Sequence, residues 1–101
     1  MAPEDFLLIG KIVGLHGIKG GLKVISYAET PDIFVAGRSF LIMDSQGRTH
    51  THDIDWAKPH KRGLLMSFQD VQDRDAAEAL LQAEIYMKKA DLPVLEEDAY
   101  Y

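Results

Sequence analysis

Short stretches of β-type apolar and polar alternation, separated by turn-forming residues, dominate the first two thirds of the chain. Residues 6–15 (FLLIGKIVGL) predict a first strand, interrupted by Gly10 and Gly14, which permit a bulge or a close backbone approach in a tightly curved sheet. A glycine-rich connection, His16-Gly17-Ile18-Lys19-Gly20-Gly21, leads to a second strand over 22–27, short and rich in β-formers. Thr30-Pro31-Asp32 signals a turn, and Ile33-Phe34 after it could plug one end of a barrel. Residues 39–43 predict a third strand. Asp44-Ser45-Gln46-Gly47 is a hairpin loop, and the return strand covers 49–58. A further turn at Pro59-His60-Lys61-Arg62-Gly63 precedes a fifth strand over 64–68.

From Asp73 the period changes. Ala76, Ala77, Leu80 and Leu81 fall at helical spacing while Asp75 and Glu78 stay on the other side. Asp73 is the expected N-cap, and Asp75 suits the positive end of the helix dipole. Alternation returns over 84–88 as a sixth strand, and Leu92-Pro93 stops regular structure. The fold class expected is mainly β, a small six-stranded antiparallel barrel with one short helix.

At 101 residues the chain supports one core, and its 47% hydrophobic and 27% charged residues are ordinary for a soluble globular protein. It has no cysteine, which excludes disulfides, thiolate metal sites and cysteine nucleophiles. The acidic start, Met1-Ala2-Pro3-Glu4-Asp5, lacks the basic region of a signal peptide, and the apolar run at 6–9 is too short to span a bilayer; a cytoplasmic protein is expected. A net charge of −5 argues against a nucleic-acid binder, because phosphate contacts need clustered Lys and Arg. The distribution of charge softens this objection. Residues 1–68 hold eight Lys/Arg against seven Asp/Glu, whereas 69–101 hold three against nine. The front can present a local basic face while the acidic tail repels RNA.

The glycine-rich segment is not a phosphate-binding loop. Lys19 is followed by Gly20 rather than Ser or Thr, the spacing misses G-x-G-x-x-G, and a strand rather than a helix follows. Its glycines read as a strained hairpin between barrel strands. His16, Lys19 and Lys23, with Lys11 on the preceding strand, could converge at one end of the barrel on RNA phosphates, and Lys58, His60, Lys61 and Arg62 form a second basic turn. His50, His52, Asp53 and Asp55 are metal-competent, but threonines interleave the histidines, so a polar outer strand face is the simpler account and no metal is expected. Trp56, on the same parity, is expected to serve barrel packing rather than to stack on a base. None of Ser26, Ser39, Ser45 or Ser67 lies in a nucleophile motif, so no catalytic residue is expected.

Residues 9–24 (IGKIVGLHGIKGGLKV) closely resemble the opening signature of the RimM family of ribosome maturation factors. Asp32-Ile33-Phe34, the helical run Asp73-Arg74-Asp75-Ala76-Ala77-Glu78-Ala79-Leu80, Leu92-Pro93 and the closing Tyr100-Tyr101 follow in the family's order. Gly21 stands where the family often has Glu, and Ala83 where it often has Gly. The resemblance implies a barrel similar to those of translation elongation factors over 1–91. Residues 92–101 would be a linker and the cut-off start of a second, PRC-type barrel. It also implies a non-enzymatic, cofactor-free assembly factor for the small (30S) ribosomal subunit, monomeric and not membrane-bound, assisting maturation of the head and 16S rRNA processing. The implied partners are the head protein S-nineteen and 16S rRNA. On this reading His16, Lys19, Lys23, Lys61 and Arg62 meet rRNA, and Tyr100 and Tyr101 dock on the subunit. A general RNA- or tRNA-binding translation barrel is the alternative, and a small metal-dependent enzyme using His50 and His52 a more distant one.

Overall fold

A computed structural model describes residues 5–17, 19–27, 33–61 and 63–89. Six strands, β1 (Phe6–His16), β2 (Gly21–Ser26), β3 (Ser39–Met43), β4 (Thr49–His60), β5 (Gly63–Phe68) and β6 (Glu84–Lys88), close into an antiparallel barrel in the order β1-β2-β5-β4-β3-β6. Register shifts fall where the glycines of β1 predicted them, between Leu8 and Gly10 against β6 and between Ile12 and Gly14 against β2. At Gly10 a Cβ would stand 2.9 Å from the Ile25 carbonyl oxygen, so the close approach is real.

The inward residues of every strand meet in one core that includes Ile9, Ile12, Leu22, Val24, Phe40, Ile42, Ile54, Met66, Phe68 and Ile85. Ile33 and Phe34 belong to it as expected, with the Phe34 ring 5.6 Å from that of Phe40. In the hairpin between β3 and β4 the Asp44 carboxylate accepts the N–H groups of Gln46 and Arg48 at 2.9 and 3.0 Å, and Gly47 takes a φ of 83°.

The helix α1 (Arg74–Glu78) is shorter than its apolar spacing suggested. Asp73 caps it, accepting the Ala76 N–H at 2.8 Å, and Ala77 and Leu80 are buried against the barrel. Beyond Glu78 the chain tightens: Leu80 and Leu81 donate to the carbonyls three residues back. Gln82 then turns left-handed at φ 68° and donates to Ile12 at 2.9 Å, while Ile12 donates to Ala83. Pairing with β1 outweighs another helical turn. Among the described residues, no helix is long and apolar enough to cross a membrane.

Candidate nucleic-acid interface

The outer face of the wall formed by β1, β2, β5 and β4 collects the cations that the sequence scatters. Register fixes their order. Gly14 pairs with Lys23, Lys23 with Leu65, and Leu65 with Lys58, so these four form one row across the barrel. Gly14 has no side chain to obstruct this row, and a Cβ there would meet the Lys23 stem at 3.3 Å. Leu65 faces outward yet is only 3% exposed, between the two lysines, whose methylene stems can cover it while their ammonium groups stay in water. A second row holds the pairs His16–Gly21 and Ser67–Trp56. On the other side of the lysine row, His60 pairs with Gly63, and Lys11 with Ile25, which is 44% exposed.

This arrangement corrects the expectation that His16, Lys19, Lys23 and Lys11 converge at one end of the barrel. The glycine-rich turn and the turn carrying Lys61 lie at opposite ends of the wall, separated by the four-residue step from Gly63 to Ser67, about 13 Å. Lys23 and Lys58 lie between them. The cations form a stripe rather than a cluster. Arg62, Tyr100 and Tyr101 lie outside the described residues.

Trp56 requires a second correction. Ile54 faces the core and pairs with Phe68, but the register against β5 shifts before Trp56, leaving Asp55 as the extra residue of a β-bulge. Counting alternate residues from Ile54 would put the indole inside. The bulge reverses the parity, so that Trp56 lies opposite outward-facing Ser67 and Ala57 packs on the core instead. The Lys58 ammonium sits 5.5 Å from the indole centroid, within cation–π range.

The turn that opposes Trp56 is held by backbone geometry. Gly17 and Gly20 have φ of 73° and 85°, and the Gly20 backbone lies so close to the Val71 carbonyl that a Cβ would be 2.3 Å from its oxygen. Arg74 donates to the Gly17 carbonyl at 3.3 Å, tying the turn to the start of α1. Between this turn and β4 lies a cleft of about 500 Å³, with His16 and Lys19 on one side, Asp55 and Trp56 on the other, and Gly21 and Ser67 between. The glycines are therefore barrel architecture, and that architecture makes the cleft's wall.

The RimM N-terminal domain model matches residues 7–92. The chain belongs to the RimM family. Curated relatives include the ribosome maturation factors RimM of an Acidovorax species, 34% identical over 98% of this chain and 56% of its own length, and of Yersinia enterocolitica, 35% identical over 100% and 55%. The chain thus spans little more than half the length of these relatives. Among solved structures, it resembles a putative 16S ribosomal RNA processing protein RimM from Pseudomonas aeruginosa, with TM-score 0.78 and 27% identity over 88% of this chain and 54% of that one. It also resembles the solution structure of the N-terminal domain of RimM from Thermus thermophilus, with TM-score 0.70 and 26% identity over 90% and 98%.

In this RimM domain the histidines of β4 occupy a different place from the one expected. His50 and His52 pair with Ile42 and Phe40, so they share the inward parity rather than a polar outer face. The His52 ring stacks on Phe68 at 5.2 Å, and its Nδ1 meets the Asp70 carboxylate at 2.8 Å. That hydrogen bond holds the Asp70 carboxyl below its ordinary 3.8, against the opposing effect of burial. Among the described residues, no group of three or more His, Asp or Glu side chains could hold a metal ion. His52 thus lies at the rim of the core, whereas the His50 side chain is 54% exposed and stands 3.9 Å from the Asp44 carboxylate.

Sequence reasoning missed Trp56 as a surface residue. One signal was available: the return strand is 12 residues long beside partners of five and six, and a long strand follows a small barrel by bulging.

Proposed function

We propose that this chain is the RNA-facing half of a maturation factor for the small ribosomal subunit, acting by binding and catalysing no reaction. The observation that carries this reading is the outer stripe of Lys11, Lys23 and Lys58, bracketed by His16, Lys19 and Lys61, in a chain whose net charge is −5. An acidic chain that gathers cations on one wall has a surface suited to phosphate. Membership of the RimM family, whose relatives are named for ribosome maturation, supplies the target class. On this reading the factor works in the cytoplasm as a monomer at the head of the small subunit, where it meets 16S rRNA and the protein S-nineteen. A second barrel beyond residue 92 and the Tyr100-Tyr101 pair supply the protein-side contacts. It stabilises one immature arrangement and leaves when the mature one no longer fits.

The test is a pull-down of immature small subunits and of isolated head protein, comparing this chain with a full-length factor that contains it. The expected result is salt-sensitive retention of subunits that weakens when Lys19, Lys61 and Arg62 are reversed to Glu, with a shallower salt dependence of roughly 0.7 per lost phosphate contact. Unchanged retention and slope in the triple variant would refute the assignment of this wall to RNA. Equal binding of unrelated RNAs would favour a general RNA-binding barrel instead.

A further inference from the structure

We propose that the Trp56 cleft receives an unpaired nucleobase of single-stranded RNA, stacked on the indole, while the neighbouring lysines hold its backbone; this deepens, and rests on, the RNA-facing reading above. The bulge at Asp55 is the starting point. It places the chain's one tryptophan outside the barrel, where a large apolar ring forgoes core burial, and bulges of this kind re-aim a side chain next to a site.

The surroundings of the ring specify the ligand. Gly21 and Ser67 leave room between the His16–Lys19 side and the Trp56 side, and about 500 Å³ is within the range of small-ligand pockets. Lys58, 5.5 Å from the indole centroid, and Lys19 across the cleft suit the phosphates on either side of a stacked base. Asp55 decides between a base and a phosphate. Asp55 lines the same cleft, and its carboxylate only accepts hydrogen bonds, so it repels a phosphate or an acidic peptide and favours a base edge that presents an amino group. Adenine, cytosine and guanine carry such a group, and uracil does not. A duplex is a poor ligand, since its bases are already stacked and turned inward.

Trp56 is its own reporter, because no other tryptophan contributes to the emission. The chain is titrated with a short unstructured adenine- and cytosine-rich RNA, a uracil-only RNA, a duplex of equal length, inorganic polyphosphate and an acidic peptide. Saturable quenching by the first RNA is expected, with weaker quenching by the uracil strand and salt-dependent binding of duplex or polyphosphate without quenching. Followed by the anisotropy of a dye-labelled RNA, since these variants have no tryptophan, Trp56→Ala should weaken the single strand roughly 5- to 100-fold without changing its salt slope, and Trp56→Phe should retain most of the affinity. Asp55→Asn should erase the preference over uracil. Equal quenching by polyphosphate, quenching by the acidic peptide alone, or full affinity in Trp56→Ala would overturn the proposal. Failure here with salt-sensitive subunit retention intact removes the base pocket alone. Loss of subunit retention in the unmodified chain removes the reading beneath it, and the quenching titration still reports on the cleft.

Discussion

Replacing Gly20 by alanine tests whether the glycine-rich turn is held by its contact with the loop before α1. Two penalties act there. At φ 85° an L-residue pays the left-handed steric penalty of about 1–2 kcal/mol. The new Cβ would also lie 2.3 Å from the Val71 carbonyl oxygen, 3.0 Å from its carbon and 3.2 Å from the Asp73 nitrogen. All three are backbone atoms, so relief requires the turn to lift away, at an overpacking penalty of about 1–3 kcal/mol. Lower entropy in the unfolded chain returns only about 0.4–1 kcal/mol. Gly20→Ala should therefore destabilise by about 2–4 kcal/mol, lowering Tm by roughly 10–25 °C for a domain of this size. Gly17→Ala is the matched control. Its φ of 73° brings the conformational penalty, but nothing lies within 4 Å of the new methyl, so a loss of about 1 kcal/mol is expected. Urea titrations followed by circular dichroism and Trp56 emission give both values. Equal losses for the two variants would refute the steric argument and leave the turn without its anchor.

Three further outcomes follow from the geometry. Asp70 has its carboxyl pKa lowered by the His52 hydrogen bond, so its contribution is complete above the ordinary value of 3.8 and is lost as pH falls through the lowered one. Since its side chain is 62% exposed, Asp70→Asn should cost no more than about 1 kcal/mol in urea at neutral pH, with the difference vanishing in acid; a difference that grows in acid would reverse the sign. Lys61 holds a left-handed φ of 50°, so Lys61→Gly should leave stability unchanged or raise it by up to about 1 kcal/mol while weakening RNA retention, measured by melting and pull-down side by side. Phe68, fully buried and stacked under His52, should cost about 3–5 kcal/mol on truncation to alanine, read as a large fall in the urea midpoint.

Much of the fold was legible because β2 alternates, because β1 and β5 are short β-type apolar runs between clear turn signals, and because Asp73 is a strong local cap. The helix end was not. Residues 79–81 keep helical spacing, yet Gln82 and Ala83 are drawn into pairing with Ile12, a long-range demand that local spacing does not encode. The site was half legible. Residue type alone singled out His16, Lys19, Lys23 and Lys61 as candidates, but their placement along one wall depends on the pairing of β2 with β5, which are not consecutive in the chain. Trp56 and the β4 histidines escaped sequence reasoning for one shared reason. Parity counting assumes an unbroken ladder and an inside face that is wholly apolar. The bulge at Asp55 breaks the first assumption, and His52 on Phe68 at the barrel rim breaks the second.

Closure of the sheet also limits how a partner can be recognised. Each of the six strands has two neighbours, so the described barrel has no edge strand, although Trp56–His60 of β4 pair with β5 alone. A partner peptide therefore finds no whole edge strand to extend, and recognition that relies on main-chain pairing, which tolerates many sequences, is confined to short stretches of the barrel wall. What remains is recognition by side chains projecting from a rigid cylinder, where specificity depends on their spacing. The same closure leaves no whole edge strand to serve as a template for unwanted self-association.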